Sequence, residues 1–227
     1  MNLRAGIDLA RERLTQRTTG VGLGLALTFT LGVAMLERAQ GAEGAADRAL
    51  SGGAFGVALP LVAYFLVGRA CAGSSLREAL FPLTRHGLDR RPLALGFTLP
   101  PALLAMGFGG VASLFVVLLT RGFSDPRVVS DAAMSIWIGL LSGAAYAAAF
   151  TGASALGRRG QGRTWLLVAD FLLGAGSSFL AFPWPKGHVR NLLGGASVLE
   201  LSQQGALFAL LGTSFAFLCW GTLRGHR

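Results

Sequence analysis

Long apolar stretches alternate with short polar ones along almost the whole chain. Apolar runs cover 19–36, 52–72, 93–120, 132–156, 164–182 and 205–223. Each is about 18 to 28 residues long, and a helix needs roughly 20 to cross a hydrocarbon core about 30 Å thick. The pattern predicts an all-α, polytopic integral membrane protein with six transmembrane helices in one domain, 1–227. The polar connections are too short to hold a soluble domain.

Finer periodicities sit on this frame. Ahead of the first run, Leu3, Ile7, Ala10 and Leu14 recur at helical spacing, with Arg4, Asp8, Arg11 and Glu12 on the other side. This predicts an amphipathic helix over 1–17 lying in the membrane interface, with Gly20 and Gly22 providing a bend into the first span. In the fourth run Ser135, Gly139, Gly143, Ala147, Thr151 and Ala155 repeat every fourth position. Such a small-residue ridge lets helix backbones approach closely in lipid. Pro60, and the pair Pro100 and Pro101, predict kinks or breaks in the second and third spans. The stretch 183–204 does not read as a plain loop. Trp184 lies between prolines, and 189–193 and 197–201 could each form a helical turn dipping toward the bilayer, separated by Gly194 and Gly195.

Charge gives the frame a direction. Twenty basic and eleven acidic residues leave a net charge of +9. Arg4, Arg11, Arg13, Arg17, Arg69, Arg77, Arg85, Arg90, Arg91, Arg158, Arg159, Arg163, Arg224 and Arg227 fall on one side of the predicted spans. Only Arg38, Arg48, Arg121, Arg127, Lys186 and Arg190 fall on the other, offset by Glu37, Glu43, Asp47, Asp125, Asp131 and Glu200. The positive-inside rule then places both termini in the cytoplasm of an inner (plasma) membrane. Basic residues that flank apolar spans suit anionic lipid headgroups rather than nucleic acid. The first run lacks a small-residue cleavage site after it and reads as a retained span.

Candidate chemistry is sparse. His86, His188 and His226 all lie in connections or the tail, so no serine inside a span has a histidine partner there. Cys71 and Cys219 lack metal-ligand spacing, and their predicted cytoplasmic placement disfavours a disulfide. Neither a metal nor a cofactor is expected. The only lysine, Lys186, lies outside any Gly-x-x-x-x-Gly-Lys-Ser/Thr phosphate loop, so ATP hydrolysis would belong to another chain. The expectation is a protein that is not itself an enzyme. Asp170 is the one acid inside a span. Such residues are costly in lipid and mark either a polar route or a structural contact, here pairing with Arg163, Arg69 or a neighbouring span.

The second polar connection carries the most local information. Ser75-Leu76-Arg77-Glu78 fits a capping box, which predicts a short helix over about 76–81 that stops at Pro82. The sequence 76–85, followed by Leu88 and 93–96, resembles the cytoplasmic loop of exporter-class (type 2) ABC transporter permeases. The layout resembles that family too: an interfacial helix, six spans, cytoplasmic ends and a semi-helical segment before the last span. The short first external loop, the single lysine and the pair Pro100 and Pro101 have no match in it. The resemblance implies a permease subunit that forms a homodimer or heterodimer and is driven by a separate cytoplasmic ATP-binding subunit. It also implies coupling through Leu76, Glu78, Leu80, Pro82 and Arg85, with Asp170, Ser177 and Ser178 along a translocation path. The competing expectations are a membrane scaffold or assembly subunit and a small secondary transporter. The latter is weakened by the missing internal repeat.

Overall fold

The apolar runs fold as helices because a membrane-embedded backbone must satisfy its own hydrogen bonds. The structure is a computed structural model and describes residues 2–41, 44–123 and 125–224. Glu43 and Arg227, which enter the charge pattern, and His226 lie outside the described residues. Among the described residues there is no strand. The elements are α1 (Asn2–Leu14), α2 (Arg17–Ala39), α3 (Ala45–Arg48), a wide π-helical segment (Ala49–Ala58), α4 (Leu59–Ala70), α5 (Leu76–Thr84), α6 (Arg90–Arg121), α7 (Val128–Ala153), α8 (Gln161–Leu173), α9 (Pro185–Leu192) and α10 (Gln203–Arg224). Short 3-10 turns, Arg158–Gly160 and Phe179–Ala181, precede α8 and α9.

Five helices are long and apolar enough to cross a membrane: Arg17–Ala39, Ala45–Ala70, Arg90–Arg121, Val128–Ala153 and Gln203–Leu223. By length and composition the chain is a multi-pass membrane protein. The run 164–182 differs from the expected single span. It forms the 13-residue α8, about 20 Å long at 1.5 Å per residue, and then turns at Gly174. Gly174, Gly176, Ser177 and Ser178 are poor helix formers, and Pro183 and Pro185 bar a simple continuation.

The prolines do not break their helices. Pro100 and Pro101 lie inside an unbroken 32-residue α6. Pro60 has no N–H to offer the carbonyl of Gly56. The helix ahead of it is widened so that the Leu59 N–H reaches Ala54 instead, which is how a π-bulge absorbs an extra residue.

Small residues set the packing. A Cβ on Gly109 would fall on the Gly139 carbonyl oxygen, and one on Gly139 would fall on that of Gly109. A Cβ on Gly143 would strike the Ala105 backbone at 2.5 Å. Helices α6 and α7 thus touch backbone to backbone along the predicted ridge, where Ser135, Gly139, Gly143, Ala147 and Thr151 are all buried. The other side of α7 meets α10 at Gly152 and Gly221, again with no room for a side chain.

The segment ahead of the first span is helical, as α1, and it packs against the bundle. Its buried positions are Gly6, Ala10 and Leu14, while Leu3 is largely exposed. A Cβ on Gly6 would meet the Leu93 carbonyl and one on Gly96 the Leu3 carbonyl, so α1 lies directly on the start of α6. The bend into α2 falls at Thr15 and Gln16, and Gly20 and Gly22 are inside α2.

Candidate functional site

Two short elements at opposite ends of the spans depart from the simple bundle, and all the predicted site residues lie in or beside them. The first is the connection 71–89. Ser75 accepts the Glu78 N–H at 3.3 Å, and the Glu78 carboxylate accepts the Ser75 N–H at 2.9 Å. The capping box therefore forms as read from the sequence, and two otherwise orphaned donors are satisfied reciprocally. These hydrogen bonds, the backbone one first, hold the Glu78 carboxyl below its usual range. The helix does not stop at Pro82. It runs on to Thr84, and left-handed Gly87 follows soon after.

The five residues predicted to couple to a partner divide by face. Leu76 and Leu80 are buried, with Ala79 between them, and they anchor α5 to the bundle. The Leu76 N–H donates to the Ser154 carbonyl of the turn after α7 at 3.0 Å. Glu78, Pro82 and Arg85 are exposed, and Phe81 is exposed beside them. Because the Glu78 carboxylate is engaged in the cap, its first role is to shape α5. Phe81, which motif reading passed over, is the largest apolar group on the outer face.

Arginines brace this end from below. Arg13 of α1 donates to the Ala70 carbonyl at 2.7 Å and the Ala79 carbonyl at 3.4 Å. Arg163, only 6 % exposed, donates to the Ser74 carbonyl at 3.2 Å. Arg69 bonds the Gln16 side chain. Basic residues counted as topology markers thus also hold carbonyls left open at helix ends.

The second element is the return segment 174–202. Asp170, fully buried near the end of α8, accepts the Tyr146 hydroxyl at 3.0 Å and the Lys186 backbone N–H at 2.9 Å. Of the expected alternatives, the hydrogen bond from a neighbouring helix is present and the pairing with Arg163 or Arg69 is not, since those guanidiniums face the Ser74 carbonyl and Gln16. The Lys186 ammonium sits 4.6 Å from the centre of the Phe171 ring. A Cβ on Gly174 would approach Lys186 Cβ at 2.9 Å, so the chain must be bare there to fold α9 back against α8.

Ser177 and Ser178 are exposed on the turn and share no site with buried Asp170. Arg190 closes the turn by bonding the carbonyls of Ala175, Gly176 and Ala196, and Asn191 donates to the Leu201 carbonyl at 2.9 Å. His188, expected in a polar connection, is fully buried in α9. Its Nε2 lies 2.7 Å from the Phe182 carbonyl oxygen.

With both its oxygens engaged by Tyr146 and by the Lys186 backbone, Asp170 fixes a buried fold-back of α9 against α8. No cluster of three metal-ligating groups occurs among the described residues, and both cysteines are unpaired. The two elements are a capped helix offering one face outward and a return segment locked onto a buried carboxylate. No family model, no curated protein and no solved structure matches this chain.

Proposed function

We propose that this chain is the membrane subunit of an ATP-driven exporter, a permease moved by a separate cytoplasmic ATPase. In this reading α8 with its return segment counts as the fifth of six crossings, both termini face the cytoplasm, and the subunit works as a dimer in the inner membrane. The observation that carries the reading is α5. It is a capped helix on the arginine-rich side, tied down through Leu76 and Leu80, and it presents Phe81, Pro82 and Arg85 to whatever lies beyond the membrane. Closure of an ATPase against that face would push α5, and the close glycine contacts among α6, α7 and α10 would pass the push on as a rigid-body rotation.

The test is purification of the tagged chain from native membranes in mild detergent, with identification of the subunits that stay bound. A stoichiometric P-loop ATPase is expected, lost on Arg85→Glu but retained on the conservative Arg85→Lys. Recovery with a membrane complex lacking any ATPase would reject the permease and leave the scaffold reading in its place.

A further inference from the structure

The end of the bundle that carries α5 also holds an apolar groove of about 420 Å³, between α8, the end of α7 and α10. Helix α8 lines it with Gln161, Trp165, Leu166 and Ala169, which fall on one face at helical spacing. From Gln161 to Ala169 this wall is about 12 Å long at 1.5 Å per residue. Phe217 of α10 and Trp184 complete the lining. Trp165 is 72 % exposed, so the groove opens on the outer surface of the bundle. Among the described residues no acid lines it. Asp170, next to Ala169, is buried and turned to Tyr146 and the Lys186 N–H.

A separate feature lies at its mouth. Gly157 and Gln161 both line the groove, and the turn between them carries Arg158 and Arg159. Arg13, Arg69 and Arg163 at this end hold carbonyls or Gln16. Arg158 and Arg159 are exposed, and neither is in an ion pair among the described residues. Arg159 makes only the last and smallest contribution to holding the Glu78 carboxyl low. It stands at φ 53°, ψ 27°, a left-handed backbone that glycine or asparagine takes more readily, so the turn keeps this guanidinium at a conformational cost. Behind the pair, α8 starts at Gly160 without a side-chain cap, and its first amides add partial positive charge at the same end.

We infer that this groove binds an anionic phospholipid, with the phosphate at Arg158 and Arg159 and one acyl chain along Trp165, Leu166, Ala169 and Phe217. A free phosphate would use the arginines and leave the apolar wall uncovered. A neutral lipid would cover the wall and leave the arginine pair uncompensated. An amphiphile with a negative head uses both, as basic pockets between membrane helices do. The inference needs only that the chain is a multi-pass membrane protein. No ATPase contact enters it, so it and the permease reading fail separately.

The test uses the full chain carrying Trp137→Phe and Trp220→Phe, so that only Trp165 and Trp184 fluoresce, both in the groove lining. Brominated acyl chains quench tryptophan on contact. Phosphatidylcholine vesicles with a fixed fraction of brominated phosphatidylglycerol or brominated phosphatidylcholine therefore report which lipid occupies the groove. Phosphatidylglycerol should associate about fivefold more strongly, the scale of one or two arginines at a lipid surface. Arg158→Gln with Arg159→Asn should abolish this preference, and Arg158→Lys with Arg159→Lys should keep it. Ala169→Phe, which fills the groove, should remove most of it, and Ala169→Leu is a milder filling should the phenylalanine disturb folding. Arg4→Gln, on the exposed side of α1, should leave it unchanged. Equal quenching by the two lipids in the parent, or a preference that survives loss of both arginines, would overturn the assignment. A preference intact in both Ala169 variants would overturn the acyl-chain groove, and one lost on Arg4→Gln would reduce the site to general surface charge and overturn it too.

Discussion

The connection 71–89 and the return segment 174–202 solve the same problem by opposite means. Each must hold short helices that are too small to be stable alone. In 71–89 the solution is local: Ser75 and Glu78, three residues apart, cap α5 from within. In 174–202 it is distant: Asp170 on α8 takes a hydroxyl from Tyr146 on α7 and an N–H from Lys186 at the start of α9. A local device leaves the outer face of its helix free for a partner. A tertiary device uses a buried charge, and so fixes one arrangement firmly in a place that water cannot rescue.

That contrast can be broken most severely at Asp170. Asp170→Ala strands the Tyr146 hydroxyl and the Lys186 N–H, and each unsatisfied buried group costs about 1–3 kcal/mol. A loss of roughly 2–6 kcal/mol is therefore expected, read as a lower melting temperature in detergent together with new protease cleavage within 174–202. Tyr146→Phe removes one of the two bonds and should cost about 1–1.5 kcal/mol in the same melt. If both variants melted like the parent, the return segment would be held by something other than this carboxylate.

Ser75→Ala should act on a smaller scale and in a different place. Losing an N-cap costs about 1 kcal/mol, and the effect should appear as faster hydrogen exchange in α5 with 174–202 unchanged. The smallest effect is one of pH. The folded-state pKa of Glu78 is depressed by its bonds to Ser75. Its contribution is present above the ordinary glutamate pKa and lost as pH falls through the lower folded value. The protection of α5, taken relative to the intrinsic exchange rate at each pH, should therefore fall in acid, and Glu78→Ala should remove that dependence. An α5 whose protection is flat across this range in the parent would separate Glu78 from the cap.

The same contrast explains what could be read in advance. Apolar length gave five of the six runs as single helices, and the ridge predicted from Ser135 to Ala155 is buried as far as Thr151 and meets α6 at Gly139 and Gly143. The capping box was legible to the atom, since its chemistry spans four residues. The partner of Asp170 was not, because Tyr146 lies 24 positions away in an alanine-rich stretch with no local mark. One clue was present: a phenol in a buried small-residue helix needs an acceptor, and Asp170 was the only carboxylate at that depth. The turn at 174–178 is hard to see in the apolar pattern, because the glycines and serines that end α8 sit among apolar neighbours. Leu76 and Leu80 are contiguous in sequence with Glu78, Pro82 and Arg85, but helical spacing sorts them onto opposite faces.

The account depends most on what meets the outer face of α5. A photo-crosslinking residue in place of Phe81, 54 % exposed, reports its neighbour directly in native membranes, with the same label at Phe179 beyond α8 as the comparison. The permease reading predicts an adduct between position 81 and a cytoplasmic P-loop ATPase, and none with that protein from position 179. An adduct from position 81 only to proteins without a nucleotide-binding fold, or the ATPase captured equally from both positions, would contradict it.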